Sequence, residues 1–404
     1  MNTVPVSRSG PPESPQTDWH LAPGVTYLNH GSFGPSPVAV QSERERWIRE
    51  HESNPMDFLI RRLPDLLNDS LQKLGHFLNA PSDNLVFVPN ATVGMNVVAA
   101  NLPLSKEDEV LLTDHEYGAV IRIWGQACQT TGARTVLARL PFPITSTEEL
   151  IDTLFQQVTP RTRVLVVSHV TSPTGMIFPI QQICERARQQ GILTCVDGPH
   201  APAQVPVDLK AINADFYTAS CHKWLCGPFG TGFLYVRSKF KQGLRPTVTS
   251  WGRSLNGEPP HWKDEFHWPG TYDPTGALAV PSAIDFLTRY GIQRFRDETH
   301  VLVRSSRQQL EAKVGATSFF PDDPQWYGSM SAVVLPLEEE TTRPGEVHAL
   351  QRFLWEQHQI EVPVVRWREK TLIRVSAHLY NTQEQIDHLT DAVAEWLEKR
   401  GQNS

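Results

Sequence analysis

Cysteine is scarce in this chain. Cys128, Cys184, Cys195, Cys221 and Cys226 form an odd set of five in 404 residues, with no C-x-x-C pair and no metal-like His/Cys cluster. That pattern argues against a disulfide framework or a metal centre and leaves buried free thiols as the expectation. Long apolar runs are missing too: none approaches the roughly 18 residues of a membrane span. There is no excess of positive charge. A net charge of −7 argues against nucleic acid or an anionic membrane as a general partner. No G-x-G-x-x-G follows the first strand and no G-x-x-x-x-G-K-[ST] occurs, which disfavours a nucleotide-binding α/β protein. Internal repeats and low-complexity tracts are absent. Residues 1–18 are rich in Pro and Ser and lack the apolar core of a secretory signal, so a loose arm over residues 1–20 and a cytoplasmic protein are expected.

What is present is an ordinary globular balance, 40% hydrophobic and 20% charged, on a chain too long for one small core. A large domain over residues 21–289 and a smaller one over 290–404 are expected. Apolar segments at 85–88, 109–113, 163–167, 192–196, 215–219 and 233–236 read as strands. Charged residues at 42–52 read as a helix, and Leu63, Leu67, Leu71, Leu74 and Leu78 recur on one face of another over 63–79. A further helix over 180–190 precedes the strand at 192–196. Strand and helix alternating at this spacing predict an α/β fold, a mainly parallel sheet with helices on both faces. The smaller domain reads as α+β, with helices at 293–314, 346–358 and 383–399 and strands at 331–336 and 372–376. Between the two lies an aromatic, Gly- and Pro-rich loop, 249–275, with Trp251, Phe266, His267 and Trp268. A structureless loop of that length is usually functional.

The chemistry concentrates between residues 195 and 232. Asp197 closes the strand at 192–196, and Lys223 follows the strand at 215–219 in a turn ending Gly227-Pro228-Phe229-Gly230-Thr231-Gly232. An acid at one strand end and a lysine after the next converge at the carboxyl edge of a sheet. A lysine amine forms a Schiff base with the aldehyde of pyridoxal 5′-phosphate (PLP). A buried aspartate keeps the pyridine nitrogen protonated, so that the ring accepts electrons from a substrate carbanion. Ser220 and His222, beside the lysine, are placed to donate hydrogen bonds to the phosphate. Taken singly, Asp197 is a helix cap and Lys223 a surface lysine; together they point to cofactor chemistry. Upstream, Pro89-Asn90-Ala91-Thr92 opens a helix, and unpaired backbone N–H groups at such a turn suit a phosphate, although a simple cap explains it equally well.

The segments Asp197-Gly198-Pro199-His200-Ala201 and Ser220-Cys221-His222-Lys223 closely resemble those of class V aminotransferase-like, PLP-dependent enzymes of fold type I. The likeness runs from about Tyr27 to the C-terminus. Asn29-His30-Gly31-Ser32-Phe33-Gly34 and Ile360-Glu361-Val362-Pro363-Val364 resemble the isopenicillin N epimerase-like branch in particular. The resemblance implies that Ala91 and Thr92 hold the PLP phosphate and that an aromatic ring, Tyr117 or alternatively His115, stacks on the pyridine. It implies that Ser172 stands where many relatives carry an Asn touching the ring oxygen, and that His200 bonds the 3′-oxygen. Arg374 would clamp the substrate α-carboxylate, and Asn29 and His30 would lie near the substrate, each with a structural role as the alternative. Thr271 would reach the PLP phosphate of a partner subunit, making a homodimer with composite sites.

An amino-acid substrate handled at Cα or Cβ follows from such a set. A persulfide-forming desulfurase is disfavoured, because no cysteine follows Cys226. An epimerase and a C–S or β-elimination lyase stand side by side, with a class V aminotransferase as the alternative. From another class comes a catalytically inactive PLP-binding homologue, which the intact Lys223, Asp197 and Arg374 argue against.

Overall fold

The computed structural model describes residues 15–337 and 347–401. A short strand β1 (Thr26–Tyr27) precedes a seven-stranded sheet of β2 (Leu85–Val88), β3 (Glu109–Thr113), β4 (Arg134–Ala138), β5 (Thr162–Ser168), β6 (Leu193–Asp197), β7 (Phe216–Ser220) and β8 (Gly232–Val236). Their spatial order is β2-β8-β7-β6-β5-β3-β4. From β4 to β7 neighbours run parallel, whereas β8 runs antiparallel to both β7 and β2. The central strands are apolar almost throughout because helices cover both faces. The edge strand β4 has mostly exposed side chains, so no apolar run marks it in the sequence.

Helix α1 (Val38–Ser53) precedes helix α2 (Leu63–Phe77), which packs against β2. Leu63, Leu67, Leu71 and Leu74 form the buried stripe of α2, which stops short of the expected residue 79 because Asn79 turns left-handed at φ 48°. Helix α3 (Ala91–Asn101) begins where Asn90 Oδ1 accepts from the backbone N–H of Val93 at 3.0 Å. Helix α4 (Gly118–Thr131) follows β3.

The second sheet is antiparallel, in the order β12-β13-β10-β9, from β9 (Thr317–Ser318), β10 (Met330–Val334), β12 (Val364–Trp367) and β13 (Lys370–Ser376). The short β11 (Ile360–Glu361) pairs in parallel with β1. Beyond β1 the chain stays on this sheet, since Leu28 O accepts from Ser376 N at 3.0 Å and Asn29 bridges to Ser376. The loop after Tyr27 is thereby laid alongside β13, the strand that carries Arg374.

The expected helix at 346–358 is seen as Ala349–His358; its first residue, Glu346, and residues 1–14 of the expected arm lie outside the described residues. The loop at 249–275 is not wholly irregular: it contains a helical turn, Asp264–His267, with Trp251 edge-on to the buried Trp268 at 6.0 Å between ring centroids. Among the described residues no helix is long and apolar enough to cross a membrane.

Candidate active site

At the carboxyl ends of β6 and β7 a cavity of about 310 Å³ opens between Asn90, Thr92, Tyr117, Asp197, Lys223 and Arg374. A larger surface cavity of about 610 Å³ near Phe178 and Trp326 lacks this combination of lysine, arginine and buried aspartate.

Asp197 is the last residue of β6, and only 4% of it is exposed. Burial, reinforced by the neighbouring Glu116, pushes its carboxyl up to about 7, against the pull of Lys223. Among the described residues no cation lies in ion-pairing contact with it. Lys223 stands three residues beyond β7, its Nζ 3.0 Å from His200 Nε2. Burial and the charge of Arg374 bring its pKa down to about 7, with Asp197 opposing. A large fraction of a normally protonated amine is therefore a free nucleophile at neutral pH.

The start of α3 forms another wall of the cavity. Ser220 Oγ accepts from the backbone N–H of Ala91 at 3.2 Å, tying the start of this helix to the lysine turn. Asn90, Ala91, Thr92, Ser220 and His222 all line the cavity there. His222 Nδ1 lies 3.3 Å from Thr231 O, and burial together with Lys223 lowers its pKa.

Arg374 closes the opposite side. Its Nη1 donates to the carbonyl of Ser172, and its Nη2 donates to Ser32 Oγ at 2.7 Å. Its Nε is buried without a partner, and among the described residues no carboxylate pairs with it. Burial lowers its pKa to about 10, still leaving it charged at neutral pH. An unpaired buried guanidinium facing a cavity suits a carboxylate ligand.

Three expected contacts, those of His115, His30 and Asn29, are placed differently. His115, the alternative to Tyr117, is fully buried away from the cavity: its Nδ1 lies 3.1 Å from Thr174 Oγ1 and its ring 4.7 Å from that of Trp367. The turn after β3 directs His115 inward and leaves Tyr117, at the cap of α4, half exposed in the cavity wall. His30 is a correction as well. It lies beneath the floor, with Nδ1 2.9 Å from Tyr380 Oη and Nε2 3.1 Å from Lys223 O, so both ring nitrogens are engaged. Asn29 is buried against β13, and the loop instead presents Gly31, Ser32 and Phe33 to the cavity. Thr271, expected at the site of a partner subunit, is exposed and does not line the cavity of its own chain.

Sequence reasoning missed Glu116, whose carboxylate accepts from Ser168 Oγ at 2.6 Å and from Thr113 Oγ1 at 2.7 Å. Burial pushes it up to about 7. As β5 pairs Ser168 with Asp197 of β6, Glu116 becomes a second acid one strand away from the first. A long-range contact of this kind leaves no local signal. All five cysteines are free and buried.

The donor set fits PLP: an amine of lowered pKa for its aldehyde, a buried acid without a cation for its ring nitrogen, and a capped helix N-terminus with two polar side chains for its phosphate. Fold and cavity together define a PLP enzyme of fold type I.

Comparison with known proteins narrows this. A family profile described as Aminotransferase class-V matches residues 59–389, and the chain belongs to that family. It is 37% identical to the isopenicillin N epimerase of Amycolatopsis lactamdurans over 390 residues, covering 93% of this chain and 96% of that protein. The isopenicillin N epimerase of Streptomyces clavuligerus is 36% identical, with 92% and 95% covered. A probable chloroplastic L-cysteine desulfhydrase of Arabidopsis thaliana is 29% identical, with 93% and 83% covered. Among solved structures, the cysteine desulfurase CsdA of Escherichia coli superposes with a TM-score of 0.78 at 24% identity, over 95% of this chain and 97% of that one. The cystine C–S lyase C-DES does so with 0.79 at 21%, over 92% and 98%.

Proposed function

We propose that this enzyme acts at Cα or Cβ of an amino-acid substrate, as an epimerase of the isopenicillin N type or as a C–S or β-elimination lyase. The observation that carries it is the convergence in one cavity of a neutral-prone lysine, a buried aspartate and an unpaired arginine. The relatives named above as epimerases and a desulfhydrase support the choice of reaction class.

Bound PLP supplies an electron sink for the pair released at the substrate carbon. Lys223 would hold it through Nζ, with Asp197 at the ring nitrogen and His200 and Ser172 at the ring oxygen. Tyr117 would cover the ring face, and Ala91, Thr92, Ser220 and His222 would take the phosphate. The substrate carboxylate is held by Arg374, itself braced by Ser32 and Ser172. That contact fixes which bond at Cα faces Lys223. Lys223 would also move the proton at Cα, for which an amine titrating near neutrality is suited. No cysteine follows Cys226 to take up sulfur as a persulfide, so a lyase of this build releases its sulfur product directly. We further propose a cytoplasmic homodimer in which the exposed Thr271 completes the partner's phosphate site.

The test is an absorbance titration of the purified protein with L- and D-amino acids and cysteine conjugates, products being resolved by chiral chromatography. A visible band that one substrate class shifts, lost in Lys223→Ala, is expected. A borohydride-reducible cofactor link at another lysine would refute the assignment. Stereochemical inversion without loss of a β-substituent selects the epimerase, and release of a thiol with pyruvate selects the lyase.

A further inference from the structure

Trp224, immediately after the lysine, is fully buried, and its indole Nε1 donates to His200 Nδ1 at 3.3 Å. An indole N–H only donates. His200 Nδ1 must therefore carry a lone pair, which excludes both the imidazolium and the tautomer protonated at Nδ1. The ring's proton then resides on Nε2, the atom 3.0 Å from Lys223 Nζ. An Nε2–H facing Nζ needs an acceptor there, and only the unprotonated amine is one. We infer that Trp224 is a positioning residue that fixes the histidine tautomer and, through it, holds Lys223 in the neutral, nucleophilic form.

The surroundings keep this chain of bonds in place. His200 is itself buried, and its backbone carbonyl accepts from Gln204 Nε2 at 2.6 Å. The Trp224 ring packs at 5.2 Å from His30, which in turn contacts the Lys223 carbonyl, so indole and lysine backbone share one buried layer. The charges around Nζ act in the same sense or against it by known sign: Arg374 disfavours the ammonium and Asp197 favours it. Without the indole donor His200 is free to place its proton on Nδ1. Its Nε2 lone pair would then accept from an ammonium and stabilise the charged lysine.

The inference rests on Lys223 as the reactive amine, but its test does not require turnover. In the full-length chain without added cofactor, ¹⁵N-histidine NMR reports the tautomer of His200, identified by its loss in His200→Ala. Protonation at Nε2 is expected in the wild type; protonation at Nδ1 would overturn the inference without any variant. The pH dependence of Lys223 acylation, read by peptide mass spectrometry, gives the lysine pKa. Trp224→Phe keeps a ring but deletes the donor, and should raise that pKa by about one pH unit, the worth of one hydrogen bond. In a His200→Ala background the same substitution should leave the pKa unmoved. An equal shift in both backgrounds would mean that Trp224 acts by packing alone and would refute the tautomer role. Loss of Lys223 acylation dependence on either residue, with turnover intact, would sink the inference while leaving the proposed reaction standing.

Discussion

Each residue at this site does chemistry only because a neighbour denies it water. Lys223 is drawn toward neutrality by burial and by Arg374, and Arg374 stays charged because its guanidinium loses only part of a very high basicity. The arginine therefore offers a permanent positive charge beside an amine that gives its charge up. Arg374→Ala is expected to raise KM for α-amino acids by roughly 10- to 150-fold, since a hydrogen bond to a charged group is worth about 1.5–3 kcal/mol. Substrate amides lacking the carboxylate should be turned over alike by variant and wild type. Steady-state kinetics on both substrate types check this, and an unchanged KM for the acid would place the carboxylate elsewhere. Asp197 and Lys223 are legible in the sequence because one closes an apolar strand and the other follows the next strand by three residues. The choice between His115 and Tyr117 is only half legible, as it depends on how sharply the chain turns after β3. Ser32, and not Asn29 or His30, braces the arginine because pairing with β13 buries the first two residues of that loop.

Elements are fixed against one another most tightly where α3 meets the sheet. A Cβ added at Gly94 would lie 2.1 Å from Thr218 Oγ1 and 3.0 Å from Thr218 Cβ, so the helix approaches β7 as closely as a bare glycine allows. Because the first turn of α3 lines the proposed phosphate side of the cavity, this contact sets how deep that side lies. Gly94→Ala should destabilise the fold by about 1–3 kcal/mol, the cost of overpacking, and weaken PLP retention. Denaturant unfolding and cofactor-release rates measure the two effects. Thr218→Ala in the same chain should restore part of both by removing the closest atom; no restoration would mean that the helix is held off by something else. The alternation of strands and helices made the parallel sheet legible, and the leucine stripe of α2 marked its buried face. The short or exposed strands β4 and β11 were not, because pairing partners far along the chain, and not local apolar patterning, create them.

At the scale of the whole molecule, imidazole is stored in its neutral form. His30, His115 and His267 are pushed down to about 3 and His169 to about 4 by burial, with His200 and His378 also well below the ordinary range. The unfolded chain takes up protons at these groups near 6.5 whereas the folded chain does not. Their contribution to stability is therefore present above pH 6.5 and is lost as the pH falls below it, by up to about 1.4 kcal/mol per pH unit for each histidine. Asp197 and Glu116, raised to about 7, act the other way between pH 7 and about 4, because the folded chain protonates first. Six groups against two leave a net loss in acid. The thermal unfolding midpoint of the cofactor-free protein should fall between pH 6.5 and pH 4.5, and a midpoint that stays flat or rises would contradict this balance.

Ser32 and Arg374, in contact across the cavity, lie 342 residues apart in the chain. A ribosome making this protein therefore completes Lys223, Asp197 and the α3 turn well before the arginine proposed to read the substrate is synthesised. An arrested product ending between β8 and β13 carries every side chain proposed for the cofactor in its own chain and lacks the arginine and its strand. The N-terminal loop of such a product would have no β13 to lie on. The side chains proposed to hold the cofactor are thus made before the one proposed to choose what it acts on.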